Sequence, residues 1–141
     1  MIKSIQHFEE EIIPKFEELE NKFLRAPWEL DEYVETIIKE LYEFGTYMVQ
    51  ETLETMDQLI QDSQIWKQNW VVETHMKKQL LTTLGSVTYD KTFFKNKITG
   101  KCEYLLDKVM KLCPHERITD QAMARALEEA TQTSYRRRKG I

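Results

Sequence analysis

Glycine is scarce in this chain of 141 residues: Gly45, Gly85, Gly100 and Gly140 are the whole supply. No two stand close enough to build a G-x-G-x-x-G dinucleotide turn or a phosphate-cradling P-loop. Cysteine is scarcer still, with Cys102 and Cys113 alone. With His115 they offer three soft ligands at a Cys-x10-Cys-x-His spacing, not the four of a closed zinc site, and no short Cys-x2-4-Cys knuckle. No metal and no cofactor are expected. His7 and His75 have no serine or cysteine at a recognisable spacing, so a catalytic triad has no support. No apolar run approaches the ~18–20 residues of a membrane helix. The opening residues, Met1 to His7, lack the basic start and apolar middle of a signal peptide. A cytoplasmic, non-enzymatic chain with reduced thiols and no membrane partner is the expectation.

The apolar fraction of 41% and charged fraction of 31% are those of a folded globular protein. Charge is divided unevenly along it. Residues 1–66 carry 16 acidic and 5 basic side chains, a balance of -11, whereas residues 67–141 carry 8 and 15, a balance of +7. A basic half favours a polyanionic partner and an acidic half repels one. The acidic half also has a plainer reading, since long amphipathic helices prefer glutamate on their solvated faces.

Hydrophobic spacing divides the chain into an acidic helical region (1–66), a β-meander (67–112) and the start of a further helical region (113–141). Ile5, Phe8, Ile12, Phe16, Leu19 and Phe23 recur at steps of three and four, which is one face of a helix. Pro14 falls inside that pattern and requires a kink or a restart. After a break at Arg25-Ala26-Pro27, Leu30, Val34, Ile37, Leu41, Phe44 and Met48 continue the helical period. The stripe slips by one position at Gly45 and resumes as Val49, Leu53, Met56 and Ile60. A helix over 28–62 would be ~50 Å long and needs a neighbour to stay ordered. Tyr33, Ile38, Tyr42 and Tyr47 widen its apolar face, which favours more than one neighbour: the first helix, a second copy in a homo-oligomer through 28–62, or both.

From Trp70 the composition turns β-branched and aromatic. Trp70–Thr74, Gln79–Leu84 and Val87–Phe94 read as strands, with His75 at a turn, Gly85 in a hairpin turn and 96–100 as the next turn. Cys102–Leu106 reads as a returning strand in an antiparallel meander of three or four strands, followed by one helical turn over Asp107–Leu112. Thr119 or Asp120 then caps a helix with Met123, Ala126, Leu127 and Ala130 on one face. Gln132-Thr133-Ser134 reads as a polar break, and Tyr135 opens a second helix. The class expected is α+β: a long helical hairpin, a small meander, and a C-terminal helix opening an incomplete helix-turn-helix.

That reading places Tyr135, Arg136, Arg137, Arg138 and Lys139 at the start of a recognition helix, where four cations beside an aromatic ring suit DNA phosphates. Lys77, Lys78 and Lys95 are the secondary contacts, within a wider set of lysines (Lys91, Lys97, Lys101) around the meander. Binding of this kind would be weak, sequence-indifferent and salt-dependent.

Five blocks stand in a definite order. They are Leu80–Tyr89 with Lys91–Lys97, then Thr99-Gly100, Tyr104–Asp107, Pro114–Arg117 and Ser134–Arg136. This order resembles the N-terminal part of the ISLre-type insertion-sequence transposases, long catalogued as a family of uncharacterised bacterial proteins. The acidic leader resembles theirs too. The resemblance implies DNA transposition through metal-dependent carboxylates in a ribonuclease-H-like core downstream, with none of those positions present here. Leu84 stands where an aromatic residue is common, Lys111 near a usual glycine, and Asp90-Lys91 for a basic pair. The expectation is a truncated, non-catalytic fragment contributing DNA contact and self-association. The alternative is a helical protein–protein interaction module with no DNA role.

Overall fold

The computed structural model describes residues 2–112 and 117–138, with side chains described for 3–112 and 117–132. Helix α1 (Ile2–His7) leads through a single π-turn (Phe8–Ile12) into α2 (Ile13–Arg25). Pro14 has no N–H to donate back one turn. The wide turn just ahead of it, in which Ile13 N–H reaches Phe8 O, makes room for the ring. The chain reverses at Ala26–Glu29 and returns as α3 (Leu30–Asp62), 33 residues long. The two arms meet through ring contacts, Phe8 on Phe44, His7 on Tyr47 and Phe23 stacked on Tyr33. Buried Glu40 accepts an ion pair from Lys15 at 2.7 Å. That hydrogen bond raises the Lys15 pKa.

A short α4 (Gln64–Asn69) delivers the chain to a sheet in the order β1 (Trp70–Thr82), β2 (Gly85–Asn96), β3 (Cys102–Glu103), all antiparallel. Two expected strands are in fact one. Trp70–Thr74 and Gln79–Leu84 join into a single 13-residue β1, with a bulge between Val72 and Thr74. His75 therefore lies within the strand, opposite Thr92. Pairing along the whole length of β2 overrides the polar run in the middle, and that run is polar because residues 71–77 are exposed. The returning strand is cut to two residues. From Leu105 the chain coils as α5 (Leu105–Val109), which buries the consecutive Leu105 and Leu106 together. A strand would have sent them to opposite faces.

The turn over 96–100 forms as expected. Asn96 Oδ1 accepts from the N–H groups of Ile98 and Thr99, and Gly100 takes a positive φ. Lys111 is the one described non-glycine residue with positive φ (58°). Gly45 also finds its reason. A Cβ there would lie 3.0 Å from Leu84 Cδ1, so the glycine admits the hairpin tip against α3.

The core joins Ile60 of α3, Leu80, Val87, Tyr89 and Phe94 of the hairpin, and Leu105 and Leu106 of α5. Helix α3 also serves the edge of β2 beyond the reach of β3. Asp90 N–H donates to Glu54 Oε2 (3.0 Å), and Thr92 N–H to Asp57 Oδ1 (3.1 Å). The Thr92 hydroxyl donates to the other Asp57 oxygen at 2.5 Å and lies 3.1 Å from His75 Nδ1. On the opposite edge, β1 is engaged only at Leu81 among the described residues, by a parallel bridge to Ile118.

Helix α6 (Asp120–Arg138) starts with Thr119 as its cap, whose Oγ1 accepts Ala122 N–H. The expected break at Gln132-Thr133-Ser134 does not occur, because the helix runs through it. These residues are only weakly unfavourable in a helix, and neither glycine nor proline is there to stop it. The turn of a helix-turn-helix is therefore absent.

Asp57→Ala strands two buried donors of Thr92 and should cost on the order of 3 kcal/mol in urea unfolding. Glu54→Ala, at an exposed bond, should cost less. Equal stability of Asp57→Ala and the parent chain would show that the edge is held some other way.

Candidate nucleic-acid interface

Lys77 and Lys78 are neighbours on β1 and so leave opposite faces of the strand. Lys77 pairs across to Asp90, and Lys78 to Tyr89. An open groove of about 610 Å3 runs past both, lined also by Met76, Lys91, Tyr104 and Arg117. Arg117 is brought there by the segment that docks on β1. Leu81 N–H donates to Arg117 O (2.8 Å), and Thr119 N–H donates to Leu81 O (2.9 Å). Four cationic side chains thus line the groove from three parts of the chain, the outermost 40 residues apart. Arg117 was not among the expected DNA contacts; in the sequence it only closes the Pro114–Arg117 block, two residues before the Thr119 cap.

Lys91 does not belong with the surface lysines. Its ammonium is buried, 2.6 Å from Asp107 Oδ2, and lies 3.7 Å from the centroid of the Tyr104 ring. Its charge is matched inside the fold; Lys77, Lys78 and Arg117 are the other cations lining the groove. Lys95 is not part of the groove either. It pairs with Val71, six residues along β2 from the Tyr89 rung, roughly 20 Å away at ~3.3 Å per residue.

Tyr135, Arg136, Arg137 and Arg138 continue the backbone of α6, with side chains outside those described; Lys139 lies outside the described residues. Helix α6 is buried at Ala122 and leaves Met123 and Leu127 exposed. The last turn stands roughly 27 Å along the axis from Asp120 at 1.5 Å per residue. Among the described residues no group of three His, Cys, Asp or Glu side chains could hold a metal. No helix there is long and apolar enough to cross a membrane.

Asp107→Ala leaves the Lys91 ammonium buried without a counter-charge, so unfolding should show a loss of about 3–5 kcal/mol. Joint replacement of Lys91 by Met and Asp107 by Leu should recover most of it. If the double variant is as unstable as the single, the ion pair is not the cause.

Burial is the first cause, and Asp107 and Asp57 are the next, of a Tyr89 pKa raised to about 12. The folded chain then holds that proton more tightly than the unfolded one. Stability is intact below pH ~10 and falls as pH rises towards 12. Among the described residues the Tyr89 hydroxyl is buried with no hydrogen-bond partner. Tyr89→Phe should therefore match the parent at pH 7 and exceed it at pH 11 in thermal melts. A variant melting lower at both pH values would contradict this.

Residues 24–139 match the model of an uncharacterised protein family, UPF0236. The UPF0236 protein TTE2489 of Caldanaerobacter subterraneus subsp. tengcongensis is 30% identical over 136 residues, covering 96% of this chain and 29% of that protein. A second protein of that strain, named TTE0610/TTE0881/TTE1053/TTE2432, is 30% identical over 137 residues, 97% of this chain and 28% of its own length. A third, whose name joins TTE0033 to TTE2212, is 29% identical over 135 residues, 96% of this chain and 28% of its own length. The chain thus spans less than a third of the length of these relatives. No solved structure matches it. With the family model aligned over most of its length and the helical leader included in these relatives, the chain belongs to the uncharacterised family UPF0236.

Proposed function

We propose that this chain is the non-catalytic N-terminal part of an insertion-sequence transposase of the ISLre type, contributing DNA contact and self-association. The DNA half rests on one observation, the convergence of Lys77, Lys78 and Arg117 on an open groove. Ammonium and guanidinium groups on a rigid strand edge suit phosphate oxygens, which position a duplex without reading its sequence. Tyr135, Arg136, Arg137, Arg138 and Lys139 supply a second station for the same backbone, and Lys95 an outlying contact.

The transposase half is supported by the relatives. One name joins eleven numbered designations from a single strain. A protein repeated at many numbered places is what an element that copies itself leaves behind. Most of the relatives' length lies beyond the part matched here, with room for a metal-dependent acidic core, so the catalytic steps belong there in this reading. The competing role, a helical interaction module without DNA, draws on the exposed apolar residues of α3.

Anisotropy of a labelled duplex separates the two. Binding should be sequence-indifferent and weaken between ~50 and ~200 mM salt. Each cation removed from Lys77, Lys78 and Arg117 should lower the salt slope by about 0.9, so those three alone account for a roughly 40-fold change over that range. No binding at ~50 mM salt would remove DNA from the account and leave the interaction module.

A further inference from the structure

Helix α3 carries two apolar lanes, and only one is covered along its full length. The first, through Tyr33, Glu40, Phe44 and Tyr47, meets the α1–α2 arm. The second runs Leu30, Val34, Ile38, Leu41, Tyr42 and then Gly45, Val49 and Leu53, at helical spacing. From Gly45 onward this lane is roofed, first by Leu84 at the hairpin tip and then by the core. Before Gly45 the roof stops. Leu30 is 54% exposed, and Val34, Ile38, Leu41 and Tyr42 are 44–46% exposed, with Trp28 at 79% beside them. The lane is continuous, and its cover is not.

We infer that a second copy of this chain covers the bare part of the lane, with the two α3 helices antiparallel about a twofold axis near residue 36. Under that operation Leu30 meets Tyr42 and Val34 meets Ile38, while Leu41 comes level with Asp31. The flanks agree. Lys39 is the only cation in α3 and lies on the same flank as Glu35. In an antiparallel pair, like flanks face each other, which sets each Lys39 beside Glu35 of the other copy. Five side chains left about half bare, with Trp28 barer still, offer on the order of 600 Å2 before their flanks are counted, close to the ~800 Å2 each partner gives a standard interface.

This inference deepens the self-association half of the proposed function and is independent of its DNA half. The electrostatics give it a signature of its own. Pairing brings two hairpins of like acidic charge together, so added salt should tighten the dimer by screening their repulsion, while the same salt loosens DNA.

Sedimentation equilibrium on the intact chain at ~50 and ~500 mM salt tests it. The expected result is a dimer at micromolar concentration, tighter at the higher salt. Ile38→Glu should weaken it at least ~100-fold, with helical circular dichroism and duplex affinity unchanged. Lys39→Glu should weaken it about 5-fold, and adding Glu35→Lys should restore it. A monomer at both salts overturns the inference and leaves the lane to another occupant, such as the further length present in the relatives. A dimer indifferent to Ile38→Glu places the contact elsewhere and overturns it as well. Failure of the charge swap to restore pairing overturns the antiparallel arrangement.

Discussion

A two-stranded ribbon does not stand alone in water, and β3 adds only two residues to this one. The structure depends on how the outer edge of β2 is satisfied, and helix carboxylates do it. Glu54 and Asp57 sit three residues apart on α3, a rise of ~4.5 Å. The N–H groups they take, from Asp90 and Thr92, sit two residues apart on a strand, ~6.7 Å. Side-chain reach absorbs the difference. With the edge closed this way, α3 is locked along β2, the hairpin tip is held at Gly45, and α5 closes the core below.

Much of this was legible in the sequence. The period of three and four marked both helices of the hairpin and set α3 within two residues of its observed start. Thr119 as a cap, and the Asn96 turn, followed from local side-chain chemistry that works the same way in any context. What stayed hidden depended on partners distant in sequence. Glu54 and Asp57 look like any other acidic residues on a helix until the strand they serve is in place. Lys91 looks like a surface lysine until Asp107 arrives 16 residues later. The polar middle of β1 resembles a turn because nothing local records that β2 pairs across it. Leu105-Leu106 resembles a strand because the pattern of two adjacent leucines does not say which geometry buries both.

Leu84, Lys111 and the Asp90-Lys91 pair each have a definite place in the fold. Leu84 fills the space left by Gly45. Lys111 holds a left-handed backbone conformation in which a side chain is strained. The pair Asp90-Lys91 turns inward on the Lys91 side, to an ion pair, and uses the Asp90 backbone for the α3 contact. The division of charge between the two halves likewise serves more than one purpose. Part of the acidic excess is structural, in Glu40, Glu54 and Asp57, and the basic excess is spread over the groove and the far end of α6.

The open edge of β1 carries a last consequence. Bare strand edges invite further strands and, through them, fibrils. Here Lys77 and Lys78 stand midway along that edge. Were another β1 to approach antiparallel, its lysines would arrive against these at closest range, and the ladder would have to form between like charges. The same two residues therefore guard the sheet against its own kind.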